Sequence, residues 1–275
     1  MFEDLWLRVR RSLLAAQGSD GGLGPRAGLP SEPEPTALAA IALDDAQARS
    51  WLAANQRADG SFTLVGGPVV NDSATGLASV ALGPGTAAER AIDHLVGMVA
   101  ARVPDDPRVP HDPDRRGWAW TEGTFGWVEP TARALLGLRL RRPDDLDAIG
   151  QAIEMLRDRE VSTGGWNHGN PVAFGVDLPA YGQTTALALV AMHGLDPSME
   201  RRGIEALQRL WKLERSGSLT LATSAAALRL HGAPEWVGPA RELDARFARM
   251  PEDVVTLCWA AIAVGPGLDV LREPS

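Results

Sequence analysis

Two patterns of apolar residues alternate along this chain. In the first, apolar side chains recur every three or four positions with polar ones between, as in "AIEMLRDREV" (152–161), the spacing of a helix with one dry face. In the second, apolar and small residues run almost unbroken, as in "EPTALAAIAL" (34–43), "EPTARALLGL" (129–138) and "QTTALALVAM" (183–192). Such a helix is apolar nearly all round and must be enclosed on both sides. Weaker copies are "ATGLASVAL" (74–82), "ATSAAALRL" (222–230) and "VTLCWAAIA" (255–263), so the enclosed type recurs six times, aligned on Thr36, Thr75, Thr131, Thr184, Thr223 and Thr256.

The amphipathic segments also repeat. "RRSLLAAQGSDGGL" (10–23) and "ARSWLAANQRADGSF" (48–62) share Gln-x-x-Asp-Gly, while "AIEMLRDREVSTGGW" (152–166) and "ALQRLWKLERSGSL" (206–219) keep the Gly and the apolar residue after it. Terminal signals agree with helices. Thr86 and Glu89 have the spacing of a capping box, Asp196-Pro197 and Met250-Pro251 place Pro in a first turn, and His193-Gly194 and His231-Gly232 read as C-terminal caps. The expectation is all-α: twelve helices in six hairpins forming one domain over 1–275. Amphipathic helices lie outside and apolar helices inside, closed into an α6/α6 ring rather than left open as a solenoid.

At 275 residues, 45% of them hydrophobic, the chain has ample material for such a core. A net charge of −8 and a pI near 5.2 argue against a nucleic-acid partner. The basic clusters Arg8–Arg11 and Arg139–Arg142 fall on expected helices, where a solvated face is the simple reading. No run approaches the roughly 18 apolar residues of a membrane span, and the N-terminal stretch lacks a signal peptide's apolar core. One cysteine, Cys258, allows no intrachain disulfide and suits the cytoplasm.

The alternating motifs, above all "WLAANQRADGSF" (51–62), "GGWNHGN" (164–170) and "QTTALALVAMHG" (183–194), resemble the prenyltransferase/squalene oxidase repeat of class II terpene cyclases such as squalene–hopene cyclase, the first looking like their QW motif. The likeness spans about residues 5–264. It implies an α6/α6 toroid whose central cavity binds an isoprenoid or other apolar lipid, or acts on it by acid-initiated cyclisation. The chain departs from that family's chemistry. Where those cyclases carry D-x-D-D-T-A, it reads Glu32-Pro33-Glu34-Pro35-Thr36-Ala37 and Asn71-Asp72-Ser73-Ala74-Thr75-Gly76. The zinc trio of the protein prenyltransferases is missing too, since Cys258 lies within an apolar helix with Asp253 five residues before it.

Candidate chemistry gathers where the enclosed helices begin. Glu34, Asp72 and Glu129 are the candidate acids; helix capping, or a local turn for Asp72, is the alternative for each. Two long connections, 102–128 and 161–182, hold Trp118, Trp120, Glu122 and Trp127, and Trp166, His168, Asp177 and Tyr181. With Gln183 these are the candidate ligand-binding residues, the tryptophans offering faces to an apolar ligand or wedging hairpins together. His94 reads as a surface residue, and Gln17 and Gln56 as structural ties. No Walker loop, Rossmann fingerprint or HExxH occurs, so neither cofactor nor metal is expected. Two other readings stay open: a non-catalytic module that holds a lipid or grips a protein, and a carbohydrate-active toroid with two carboxylates and sugar-stacking tryptophans.

Overall fold

A computed structural model describes residues 2–63, 67, 69–98, 100–213, 217–247 and 253–272, and these are mostly helical. The enclosed helices are α2 (Pro33–Leu43), α4 (Asp72–Ala81), α6 (Val128–Arg141), α8 (Gly182–Met192), α10 (Ser218–Leu230) and α12 (Val254–Val264). All six expected Thr positions fall on them, and nearly every side chain they carry is buried. Alternating with them are α1 (Glu3–Ala16), α3 (Ala46–Asn55), α5 (Thr86–Gly97), α7 (Leu146–Asp158), α9 (Pro197–Leu213) and α11 (Val237–Arg246), each burying one stripe. In α1 that stripe is Leu5, Val9 and Leu13, each contributing about 1.5–3 kcal/mol. A two-stranded ribbon, β1 (Val172–Ala173) with β2 (Val176–Asp177), a 3-10 turn at Pro234–Trp236 and a last short helix, α13 (Gly267–Val270), complete the described elements.

The enclosed helices pack in sequence, α2 on α4, α4 on α6, α6 on α8, α8 on α10 and α10 on α12, and α12 packs back on α2. Contacts between their last turns make them parallel. The Arg141 guanidinium, at the end of α6, donates to the Ser79 and Val80 carbonyls ending α4, and Arg139 to the Val190 and Ala191 carbonyls ending α8. Arg229, near the end of α10, donates to the Ala263 carbonyl of α12, and the His231 ring lies 2.9 Å from the Leu189 carbonyl of α8. A helix leaves its last carbonyls unpaired and its C-terminus negative, so several such ends gathered together call for cations. That corrects the reading of Arg139–Arg142 as a solvated face. Arg139 is buried, bonded also to the Leu271 and Arg272 carbonyls after α13, and burial lowers its pKa to about 10.

At the opposite end one device repeats. The backbone N–H of the apolar residue after each loop Gly donates to a threonine hydroxyl: Leu23 to Thr36, Phe62 to Thr75, Trp118 to Thr131 and Trp166 to Thr185. The hydroxyl in α8 is that of Thr185, one residue beyond the Thr184 of the sequence alignment. Thr223 bonds back to carbonyls of its own helix instead, and Thr256 to Asp253. The preceding glycine is required by space and by angle: Gly60 has φ +86°, and a Cβ there would stand 2.0 Å from the Arg90 carbonyl oxygen. Gln56 ties its own loop to the next helix, donating to the Gly60 and Ala87 carbonyls. The expected Thr86–Glu89 capping box is not formed, because Thr86 is already inside α5 and Gly85 holds the cap position. Met250-Pro251 lies outside the described residues.

Candidate functional site

Glu34 and Glu129 begin α2 and α6, and the structure joins them. One nitrogen of Arg133, Nη2, lies 2.6 Å from Glu34 Oε1 and 2.7 Å from Glu129 Oε1. Capping therefore gives way to an ion-pair cluster at the N-terminal end of the enclosed helices. Arg133 is almost wholly buried, and its Nε and Nη1 have no hydrogen-bond partner among the described residues. Burial pushes the Glu129 carboxyl above the usual range despite Arg133, and the Glu34 charge adds to the rise. A buried cluster is least costly when neutral. One guanidinium faces two carboxyls, and burial favours the protonated form of Glu129. His168 is close enough to act on Glu129 electrostatically, and its ring centroid stands 5.2 Å from that of Tyr181.

Asp72 belongs to a different place. It is fully buried in the first turn of α4, with Oδ1 3.3 Å from His94 Nε2 on α5 and Oδ2 without a partner among the described residues. His94 is thus no surface residue; its side chain is turned inward to an acid on the neighbouring helix.

The tryptophans separate into two groups. Trp118 and Trp166 are shut in the core, their indole N–H groups donating to the Leu95 and Leu156 carbonyls, so they wedge α5 and α7 against the loops that follow. Trp120 and Trp127 are half-buried, and Trp127 packs with Phe125 at a centroid distance of 4.9 Å. Glu122, His168, Asp177 and Tyr181 are exposed and Gln183 is half-buried, with Asp177 accepting from the Ser162 hydroxyl.

Trp127 and Phe125 form one wall of a cleft of about 230 Å³ between the two long connections. Val103, Pro104 and Val109 add apolar surface, while His111, Arg159 and Asn170 supply polar groups. The connections clasp each other beside it: the Phe174 N–H, at the ribbon's tip, donates to the Arg108 carbonyl at 2.6 Å, and the Arg108 guanidinium lies over the Phe174 ring. Arg108 in turn grips both oxygens of Asp106, holding that carboxyl down to about 2. Sequence reasoning found the loops and Trp127, but not Arg133 or Arg159. Each is an arginine within or just after a helix, and the interior position that gives it meaning is set by packing.

Among the described residues no helix is long and apolar enough to cross a membrane, and no group of three His, Cys, Asp or Glu is placed to hold a metal ion. No family model matches the chain, and no curated protein is significantly similar to it. A crystal structure of a protein from Actinoplanes aligns with 98% of this chain and 99% of that one, at a TM-score of 0.61 and 17% sequence identity. At that identity the likeness speaks for the fold alone.

Proposed function

We propose that the chain is an α6/α6 toroid of the prenyltransferase/squalene oxidase repeat type that binds a small apolar molecule of isoprenoid character at its mouth. The cyclic packing of six parallel enclosed helices supports the architecture. The mouth cleft carries the binding reading: about 230 Å³ of space walled by Val103, Pro104, Val109, Phe125 and Trp127. Drug-sized ligands occupy roughly 300–1,000 Å³, so this space suits a ligand at the small end of that range, or one end of a longer chain. The Glu34–Arg133–Glu129 cluster, which joins α2 to α6, does not line this cleft, so the ligand lies apart from it. Mass spectrometry of small molecules extracted from the native protein tests this reading. Recovery of a terpenoid or similar lipid, lost from a Trp127→Ala variant, is the expected result; an extract free of any apolar compound would count against it.

A second reading, acid-initiated isomerisation or cyclisation, is favoured by the Glu129 carboxyl, which burial holds toward its protonated form. Protonating an alkene needs such an acid shielded from water. Incubation with polyprenyl alcohols and diphosphates should then give a product that Glu129→Gln abolishes while that variant stays folded. Unchanged substrate under the wild-type protein rejects catalysis and leaves the binding reading intact.

A further inference from the structure

We propose that the mouth cleft takes its apolar ligand by a carboxylate end, held between Arg159 and His111. The inference rests on the cleft being the binding site and specifies which end of the ligand enters and with what charge.

Arg159 follows α7 directly and is only 3% exposed, yet it lines the cleft, so the cleft is where its remaining surface faces. Among the described residues its one carboxylate contact is with Asp158, through Nη1. A guanidinium has five N–H donors in a planar fork, and one monodentate neighbour leaves most of that fork unused. Burial lowers the Arg159 pKa, with Asp158 and Asp112 acting the other way.

His111, on the same wall, has a buried Nδ1 with no hydrogen-bond partner. Burial and the Arg159 charge lower its pKa, with Asp158 and Asp112 acting the other way, so it is neutral beside the guanidinium. The other acid on the wall, Asp106, is already gripped by Arg108 and does not serve Arg159. A buried cation and an imidazole that line the same cleft can both be served by one acceptor group placed there. A carboxylate fits best: it accepts from the Arg159 fork and from His111. The rest of the ligand then lies along Val103, Val109, Phe125 and Trp127.

The two partners differ in pH behaviour. A carboxylate beside His111 favours the imidazolium, so binding takes up a proton there, and affinity for an ionised acid falls as pH rises. A neutral alcohol produces no such change.

The test is isothermal titration of the whole chain with geranic acid and with geraniol, which share a hydrocarbon and differ in the end group. The acid should bind about tenfold or more tightly than the alcohol near pH 6, the scale of a charge-assisted hydrogen bond. Its advantage should shrink toward about pH 8 as His111 gives up its proton more readily. Arg159→Gln should remove the preference and leave geraniol binding in place. Equal affinity for acid and alcohol overturns the carboxylate inference while the cleft reading stands. Binding of neither overturns both. A preference that survives Arg159→Gln removes Arg159 from the role. If that variant does not fold, the wild-type pH series decides alone, and a flat profile for the acid rejects the arrangement.

Discussion

Arg133 of α6 holds Glu34 of α2 at 2.6 Å, although α4 packs between those two helices. The contact links positions 99 residues apart. The same nitrogen holds Glu129, so two carboxyls depend on one guanidinium.

Removing that guanidinium strands the carboxyls. Arg133→Met should destabilise the protein by about 3–5 kcal/mol, the cost of breaking a buried ion pair from one side. Adding Glu34→Gln and Glu129→Gln to it should restore most of the loss. Urea unfolding of the single and triple variants measures both effects; a triple variant no more stable than the single one would show that charge is not the cause.

The raised pKa of Glu129 gives a pH dependence opposite to that of an ordinary paired acid. Its folded pKa lies above the usual 4.5, so from about 4.5 up to that higher value the folded state keeps a proton that the unfolded chain has released. Stability should therefore decline as pH rises through that window, and Glu129→Gln should flatten the decline. Thermal melts of both proteins from about pH 4 to 8 provide the comparison.

Asp196 shows the usual sign. It stands just before α9, accepting from the Ser198 and Met199 N–H groups, the Ser198 hydroxyl and Arg157, and the Met199 bond is the largest cause of its strongly lowered pKa. Its contribution is present above the ordinary aspartate range and disappears as pH falls below it. Asp196→Ala should cost about 1 kcal/mol at neutral pH and nothing at strongly acid pH, read from denaturation midpoints at each.

Thr131→Val keeps nearly the same shape but leaves the buried Trp118 N–H without its acceptor. A loss of about 1–3 kcal/mol is expected, together with faster hydrogen exchange at that amide. Unchanged exchange would show that the hydroxyl does not hold the loop.

Periodicity made most of this fold legible, because a helix enclosed on all sides and a helix with one wet face leave different traces in composition. Thr36, Thr75 and Thr131 marked equivalent turns for the same reason. Thr185 was displaced by one because two threonines stand together, and the hydroxyl that engages Trp166 is chosen by helix rotation. Trp118 could not be told from Trp127 by residue type, since both follow glycines in the same long loop. What separates them is which indole finds a carbonyl inside. Buried arginines were least legible. Arg139 reads as a solvated charge until the ends of α8 and α13 are brought beside it.

The seam between α4 and α6 has a mechanical consequence. A Cβ on Gly76 would stand 2.6 Å from the Arg133 carbonyl, and one on Gly137 2.4 Å from the Ser79 hydroxyl, so the two backbones touch with nothing between them. That side has no slack, and the main chain of Arg133 is pinned to it. Any swelling of the molecule to admit a bulkier guest must be taken up elsewhere than along this seam.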